Sequence, residues 1–255
     1  MMKLRVLGCS GGIGGSLHTT SFAIDHDILI DAGTGVGELS LKELSRIDHI
    51  FITHSHMDHI CSLPLMLDSV AGMRDHPVIV YATAATIELL KQHIFNWKIW
   101  PDFSVIPSVD KPLMRYQAIV LAETVVLQGR KITALPAVHT VPAVGYHLDS
   151  GQASLVFSGD TYINDRLWEV LNTIENLRYL IIETAFPNSE IELARLSKHL
   201  CPSLLVDELC KFTGNAEVFV THFKPDEVEL IMAEVANCAS RLPAKILLNN
   251  QEIIF

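Results

Sequence analysis

Short apolar segments and longer amphipathic segments alternate along the chain. Apolar runs of about four to eight residues, bounded by turn-forming residues, are typical of β-strands. The longer segments carry apolar residues at helical spacing, and several open on Ser, Thr or Asp, as helix caps do. The alternation predicts a mixed α/β fold. The predicted strands are KLRVLG, SFAID, DILIDAG, HIFITH, VIVYA, ITALPAVH, SLVFSGD, YLIIETAF, VFVTH and KILLNN, and the predicted helices are SLPLMLDSVAGM, TAATIELLKQHIF, DRLWEVLNTI, SLLVDELCKF and EVELIMAEVANCA.

The pattern runs through the whole chain without a repeat, a low-complexity tract or a linker, so residues 1–255 are expected to form one domain. The least regular stretch is NWKIWPDFSVIPSVDKPLMRYQ, residues 96–117, where Trp, Phe and Pro cluster without clean periodicity. This stretch is a candidate lid or dimer contact, with simple packing as the alternative.

Composition and charge narrow the class of protein. The 255 residues are 49% hydrophobic, enough for a sizeable core, and the net charge is −10, from 19 Lys and Arg against 29 Asp and Glu. An acidic surface repels polyanions, so a long nucleic acid is an unfavoured partner. Five cysteines without paired spacing indicate reduced thiols in the core. Because the sequence shows no signal peptide and no apolar span of about 18 residues, we expect a cytoplasmic protein without a membrane anchor.

Four side chains that can bind metal crowd into the segment THSHMDHICSL, directly after an apolar run. His54 and His56 project to the same side of an extended chain, which suits two imidazoles of one ion. Asp58 and His59 then turn toward a second position. Three later strand-like segments end in further candidates, which are His139, Asp160 and His222. His147 lies near the first of these in sequence and is an alternative to it.

The order His-x-His-x-Asp-His, followed by a distant His, Asp and His, resembles the metallo-β-lactamase superfamily over residues 54–222. The resemblance implies an αββα four-layer sandwich, with two mixed β-sheets flanked by helices and a two-metal site where the sheets meet. It also implies three ligands for each ion and one shared ligand. Carried over residue by residue, His54, His56 and His139 hold the first ion, Asp58, His59 and His222 hold the second, and Asp160 bridges them.

This set of ligands defines the expected cofactor. Imidazole and carboxylate ligands without cysteine suit two divalent ions, zinc first, with manganese or iron as alternatives. Two such ions can lower the pKa of water toward about 7 and neutralise charge on a phosphoryl group. The expected chemistry is therefore metal-dependent hydrolysis.

Further segments resemble the class II cyclic-nucleotide phosphodiesterases over most of the chain. These segments are GCSGGIGG, HTTSFAID, DILIDAGTG, VFSGDT, IIETAF and LSKHLCPSLLVDEL. The resemblance implies hydrolysis of a small 3′,5′-cyclic nucleotide, cAMP or cGMP, to the 5′-monophosphate. The chain departs from the family pattern at Met57, where leucine is usual, and at ICSLPLML, where a Gly-Leu pair is usual. The preferred base is left open.

The same resemblance points to residues beyond the metal ligands. His199 is expected to contact the phosphate or protonate the leaving oxygen, Glu183 to orient it, and Asp58 to take part in catalysis. A helix-start residue and a structural carboxylate are the alternative roles of His199 and Glu183. The glycine-rich turn could approach phosphate or serve only backbone geometry. The remaining substrate-binding candidates are Ser10, Gly11, Gly12 and Thr20.

Several other functions stay open at this point. An aromatic cluster could stack a nucleobase, with core or dimer packing as the alternative; its members are Phe95, Trp97, Trp100 and Phe103. A tRNA 3′-processing nuclease would carry His-Glu-Ala-Thr where residues 182–185 read Ile-Glu-Thr-Ala, and would want a basic arm. Lactone or thioester hydrolysis and a non-catalytic nucleotide sensor are further alternatives. A homodimer is a candidate assembly.

Overall fold

Strands and helices alternate in the structure much as the apolar pattern predicts. The computed structural model of this protein describes residues 1–238 and 243–255. The strands are β1 (Lys3–Gly8), β2 (Ser21–Ile24), β3 (Ile28–Ile30), β4 (His49–Phe51), β5 (Val78–Thr83), β6 (Met114–Ile119), β7 (Thr124–Leu127), β8 (Arg130–Pro136), β9 (Val144–Asp149), β10 (Ser154–Phe157), β11 (Leu177–Glu183), β12 (Glu217–Thr221), β13 (Ala244–Ile246) and β14 (Glu252–Ile254). The α-helices are α1 (Leu41–Leu44), α2 (Met57–Ile60), α3 (Leu63–Val70), α4 (Ala84–His93), α5 (Asp165–Leu171), α6 (Ile191–Ser197), α7 (Pro202–Leu209) and α8 (Val228–Asn237). Short 3₁₀ helices span Thr34–Glu38, Ala71–Met73 and Asn188–Glu190.

The strands form two seven-stranded mixed sheets with similar connectivity. The first sheet has the order β14-β1-β2-β3-β4-β5-β6, and the second has the order β13-β12-β11-β10-β9-β8-β7. In the first sheet, β3 to β6 are parallel and the other pairs are antiparallel. In the second, β10 to β13 are parallel and the other pairs are antiparallel. Strands β1, β3 and β4 therefore end at one edge of the first sheet, and β8, β10 and β12 end at one edge of the second.

Three apolar clusters separate four layers. The central cluster joins the two sheets, and within it the rings of Phe22 and Phe157 meet edge to face with centroids 4.9 Å apart. A second cluster packs the first sheet against helices that include α3 and α4, and a third packs the second sheet against α5, α7 and α8. Layers on both faces explain why β3 and β10 are buried along their whole length and read as continuous apolar runs. The predicted fold of two mixed sheets flanked by helices is confirmed.

Seven elements were not expected from the pattern. Strands β6, β7 and β14 lie at sheet edges or carry exposed side chains, so their apolar periodicity is weak. The first four residues of β6 correct the expectation that 96–117 is irregular throughout. Helices α1 and α2 are single turns, and α6 has one buried residue, Ala194. Strand β9 is buried but contains a glycine and two polar residues, which obscure its strand pattern.

Other expectations need smaller adjustments. The strands that lead to the candidate ligands end earlier than predicted. Five of the ligands therefore lie on loops that follow β4, β8, β10 and β12, and the other two, Asp58 and His59, lie in α2. The last residue of the predicted helix EVELIMAEVANCA lies outside the described residues. All five cysteines are free thiols, but Cys210 is exposed and Cys61 and Cys238 are only half-buried, so the expectation that all five lie in the core is wrong at these three positions. In the described part of the chain, helices are too short or too polar to cross a membrane.

Candidate metal centre

The segment after β4 changes conformation within a few residues, and this change separates its potential ligands. The backbone is extended through His56, whose φ is −66° and ψ is 148°, and α2 begins at the next residue. His54 and His56 therefore leave the strand in extended chain, whereas Asp58 and His59 lie on the first turn of a helix. The exposed Met57 points away from this cluster of ligands, with 58% of its surface accessible.

The folded chain brings the seven predicted ligands into two adjoining groups. Each residue in a group offers a nitrogen or oxygen atom within 4.8 Å of the others. One group is His54, His56, His139 and Asp160, and the other is Asp58, His59, Asp160 and His222. His147, the alternative to His139, lies within β9 opposite Val156 and belongs to neither group.

Asp160 is the residue that the two groups share. Its Oδ2 atom lies 3.3 Å from Nε2 of His222 and 3.4 Å from Nε2 of His59. The same oxygen lies 3.7 Å from Nε2 of His54 and 3.9 Å from Nε2 of His139. One carboxylate oxygen thus faces imidazoles of both groups, which is the arrangement that a bridging ligand requires.

Several polar atoms of these groups are buried without a partner among the described residues. They are Nε2 of His54, Nε2 of His59, both ring nitrogens of His222 and Oδ1 of Asp160. Buried polar atoms are costly unless they are paired, so a concentration of them in one place indicates a binding site. Imidazole nitrogens and carboxylate oxygens are zinc ligands, and the residues present therefore fit two divalent cations.

The protonation behaviour of the imidazoles agrees with a role in binding cations. Burial lowers the pKa of His139 to about 4 and that of His222 to about 3, so both imidazoles are neutral near pH 7 and can ligate through nitrogen. Burial also lowers the pKa of His59, but the Asp160 and Asp31 carboxylates outweigh this effect and raise the pKa well above its usual range. A position that holds a proton this strongly has the negative field that a metal ion needs.

Asp31 and Thr53 orient two of the potential ligands from behind. The Nδ1–H group of His59 donates to Oδ2 of Asp31 at 2.7 Å. Thr53 Oγ1 donates to the same carboxylate oxygen at 2.8 Å and lies 3.0 Å from Nδ1 of His54, from which it can accept. Sequence reasoning missed both residues. The available signals were an aspartate that directly follows a buried apolar run and a threonine that directly precedes the histidine motif.

His199 and Glu183 form a buried pair beside the first group. The Nδ1–H group of His199 donates to Oε1 of Glu183 at 2.8 Å, and the backbone amides of Thr161 and Leu200 donate to the same carboxylate. The His199 ring lies 4.9 Å from that of His139 and 5.2 Å from that of His222, centroid to centroid. Burial lowers the pKa of His199, but the Glu183 carboxylate raises it by more, to above its ordinary value. The two residues are thus together at the site, as expected.

The glycine-rich turn lies at the site, and the amides of Gly11 and Gly12 are already engaged within the protein. Gly11 N–H donates to the Phe223 carbonyl at 2.8 Å, and Gly12 N–H donates to Ser10 Oγ at 3.3 Å. A Cβ atom on Gly11 would lie 2.5 Å from the His222 carbonyl oxygen, so glycine permits this close approach. The geometry favours the structural alternative for the turn. Thr20 is 1% exposed, so its hydroxyl does not face solvent, and Ser10 is 8% exposed.

The aromatic cluster is divided between core and surface. Phe95 and Phe103 are buried in the core beside the first sheet, with ring centroids 6.1 Å apart. Trp100 packs against the same cluster, whereas Trp97 is 64% exposed. The geometry favours core packing over base stacking for the two phenylalanines.

Comparison with known proteins agrees with this geometry. The family described as "Beta-lactamase superfamily domain" matches residues 26–235. A Yersinia pestis protein named "Probable 3′,5′-cyclic-nucleotide phosphodiesterase" is 27% identical over 254 residues, covering 88% of this chain and 71% of the relative. Ribonuclease Z of Methanococcus maripaludis is 28% identical over 155 residues, covering 57% of this chain and 48% of the relative.

The solved structure of unliganded yeast PDE1 has the same fold, with a TM-score of 0.84, 19% identity and coverage of 100% of this chain and 99% of that one. The predicted resemblance to cyclic-nucleotide phosphodiesterases is confirmed by a relative that carries this name over most of both chains. Since the family match covers most of the described chain and the fold agrees, this protein belongs to the beta-lactamase superfamily of metal-dependent hydrolases.

Proposed function

We propose that this protein is a dinuclear metal-dependent phosphodiesterase that hydrolyses 3′,5′-cyclic nucleotides, cAMP or cGMP, to 5′-monophosphates. The observation that carries the proposal is the Asp160 carboxylate, because its Oδ2 atom faces Nε2 atoms of both ligand groups. A shared carboxylate is typical of two ions held close together. Phosphodiester hydrolysis is a reaction that two adjacent cations serve well, since both entering and leaving oxygens carry charge.

The residues that would hold the first ion are His54, His56 and His139, those that would hold the second are Asp58, His59 and His222, and Asp160 would serve both. Divalent ions bound there would supply Lewis acidity and a water of lowered pKa. Zinc is the preferred cofactor because imidazoles dominate the ligand set, with manganese or iron as alternatives.

The His199 side chain is suited to moving a proton in this reaction. Its Nδ1–H group is held by Glu183, which leaves Nε2 as the nitrogen able to exchange a proton with the substrate. Glu183 is itself fixed by two backbone amides, so the imidazole has a defined orientation. We propose that His199 protonates the leaving 3′ oxygen and that Glu183 is a positioning residue.

The first test is hydrolysis of cAMP, cGMP, bis(p-nitrophenyl) phosphate and a precursor tRNA by protein of known metal content. The control pair is Asp58→Ala, which removes a candidate ligand, and Asp68→Ala, which removes an exposed aspartate on α3. Cyclic-nucleotide turnover that survives in Asp68→Ala and disappears in Asp58→Ala would support the proposal. Turnover of the aryl diester alone would leave the metal site standing and contradict the proposed substrate.

A second test concerns His199. We expect His199→Ala to lose roughly 10²- to 10⁴-fold in kcat at unchanged metal content, as removal of a general acid does. The leaving group provides the matched comparison, because p-nitrophenolate departs without protonation. The loss should therefore be larger for cAMP than for bis(p-nitrophenyl) phosphate, and equal losses for the two would argue against an acid role.

A nuclease of the ribonuclease Z type is the second candidate, and the match to ribonuclease Z favours it. Two features oppose it: the net charge of −10, and Ile182 in place of the histidine that such enzymes would carry before Glu183. Cleavage of the precursor tRNA at a rate above that of cAMP would reverse this preference. Binding of cyclic nucleotide by fully metallated protein without turnover would indicate a sensor.

A further inference from the structure

Lys224 lies two positions after the candidate ligand His222 and forms no ion pair with the residues that the structure describes. Its Nζ atom donates to the Gly11 carbonyl at 3.0 Å and lies 5.8 Å from the centroid of the Phe186 ring. Among the described residues, no carboxylate lies within 4.0 Å of this ammonium group. A partly buried charge that is paired only with a carbonyl dipole is incompletely satisfied, so it favours an anion from outside the protein.

The glycine-rich turn fixes the position of this lysine. Gly11 N–H donates to the carbonyl of the preceding residue, Phe223, and the Gly11 carbonyl accepts from Lys224 Nζ, so the turn contacts both the backbone before the lysine and its side chain. A Cβ atom on Gly12 would lie 2.7 Å from Cγ of Pro225, which shows that the turn and the segment after His222 are in close contact. Gly11 and Gly12 therefore hold the segment that carries Lys224, while their own amides donate within the protein.

Lys224 and His199 contact the same aromatic ring. Phe186, over which the ammonium lies, is also in ring contact with His199 at 5.8 Å between centroids. The Gly11 turn that accepts from Lys224 also lies against a candidate ligand of the second ion, since a Cβ atom on Gly11 would lie 2.5 Å from the His222 carbonyl oxygen. An ammonium has three N–H donors, and the Gly11 carbonyl occupies one.

We infer that Lys224, held by the Gly11–Gly12 turn, binds a non-bridging phosphoryl oxygen of the substrate and makes the site selective for anionic phosphoryl compounds. The inference rests on the proposed function for the identity of the substrate, but not for the presence of the anion site. A neutral lactone or thioester would leave the ammonium without its partner, whereas a phosphodiester supplies a negative oxygen.

Inorganic phosphate is the probe for this site, with its affinity for metal-loaded protein measured by calorimetry. Lys224→Gln keeps a hydrogen-bond donor for Gly11 but removes the charge, Lys224→Arg keeps the charge, and Lys224→Met removes both. Lys3→Gln, at the other end of β1, is the control for loss of an exposed cation. We expect Lys224→Gln and Lys224→Met to weaken phosphate binding by roughly 10- to 100-fold at unchanged metal content, as loss of a charged hydrogen bond does.

The arginine variant should retain most of the affinity, and the difference between wild type and Lys224→Gln should shrink at high ionic strength. Equal phosphate affinity in Lys224→Gln and wild type would overturn the inference. Wild-type phosphate affinity in Lys224→Gln together with weakened affinity in Lys224→Met would also overturn it, because the lysine would then serve only to hold the turn.

A steric variant tests the role assigned to the glycine turn. Gly12→Ala should displace Pro225 and weaken phosphate binding in the same direction as Lys224→Gln, whereas Gly72→Ala, where an added Cβ meets open space, should not. Charge-dependent phosphate binding in a protein that does not hydrolyse cAMP or cGMP would sustain the anion site and reject the proposed function. Cyclic-nucleotide turnover with the same KM in Lys224→Gln and wild type would sustain the proposed function and reject the anion site.

Discussion

Buried charged and polar groups lie at two opposite edges of the sandwich, and the two edges differ in whether these groups are paired within the protein. At the edge where β3 and β8 begin, Arg130 donates to both carboxylate oxygens of Asp27, at 2.5 and 2.6 Å, and to Asp25 at 3.2 Å. This cluster joins the two sheets and is satisfied within the protein. At the edge where β4 and β12 end, imidazole nitrogens and a carboxylate oxygen are buried without partners among the described residues. The first arrangement serves stability, and the second requires a ligand.

A structural cluster and a functional one therefore differ in whether their buried polar atoms are paired, and residue type alone does not separate them. Both contain buried aspartates within reach of basic side chains. The basic groups differ, because arginine is permanently charged and forms a bidentate pair with Asp27, whereas His139 and His222 beside Asp160 have lowered pKa values and are neutral near pH 7. Four predictions would break or sharpen this contrast.

The largest effect is expected at the shared carboxylate. Asp160→Asn should lower kcat/KM by roughly 10³-fold or more, since bound metal ions supply several kcal/mol of transition-state stabilisation. Bound metal, measured by inductively coupled plasma mass spectrometry, should fall in parallel. Activity and metal content within about tenfold of wild type would show that Asp160 is not shared.

Arg130 should have the next largest effect, but on stability. Arg130→Met leaves the buried Asp27 carboxylate unpaired, and we expect a loss of about 3 kcal/mol in the free energy of unfolding, measured in urea. The kcat/KM of each metal-loaded, folded molecule should be unchanged, because the cluster lies at the far edge. Arg166→Met, on the exposed face of α5, is the matched control. A lowered kcat/KM in folded, metal-loaded Arg130→Met would show that the Arg130 cluster also contributes to catalysis, against the prediction.

Thr53 tests whether the metal edge depends on support from behind. Thr53→Val removes the hydroxyl that links Asp31 to His54, and metal affinity should fall by roughly 10- to 100-fold. The first ion should be affected more than the second, because His59 keeps its direct bond to Asp31. Thr53→Ser retains the hydroxyl and should bind metal like the wild type. Equal metal affinities of Thr53→Val and Thr53→Ser would show that the hydroxyl does not contribute to metal binding.

The smallest effect is a dependence of stability on pH at the opposite edge. Burial alone would raise the pKa of Asp27, but hydrogen bonds and charge from Arg130 lower it below its ordinary value. The pair therefore contributes stability that is present above the unfolded pKa of about 3.9 and is lost as pH falls through the folded pKa. The difference in unfolding free energy between wild type and Arg130→Met should shrink as pH falls from about 5 toward 3. A constant difference over this range would argue against the pair.

Much of the fold was predictable from local pattern, since strands such as β3 and β10 are continuous apolar runs that follow from burial on both faces. The elements that were missed have little buried surface or only one helical turn, so periodicity carries little information about them. Strand β6 is an example: it pairs with β5 along six residues, yet three of its six side chains are exposed. Pairing in this strand is decided by its neighbour.

The candidate ligands were also predictable, because residue type, spacing and position after a strand coincide in the segment from His54 to His59. The residues that orient them were not. Asp31 lies 28 positions from His59 along the chain, and local sequence does not indicate that their side chains meet. The contact between the glycine turn and Lys224 was hidden for the same reason, since the Gly11 carbonyl accepts from a side chain 213 positions away.

The sequence by itself determined the layered α/β fold and the kinds of side chain available for chemistry, because apolar periodicity and ligand spacing are local properties. Only the tertiary structure decided which buried charges receive a counter-charge and which do not. That outcome depends on contacts between strand ends that are far apart in the chain, such as those of β1, β4 and β12. Arg130 satisfies Asp27 at one edge, while Asp160 and Lys224 at the other edge remain available to groups that the protein does not itself supply.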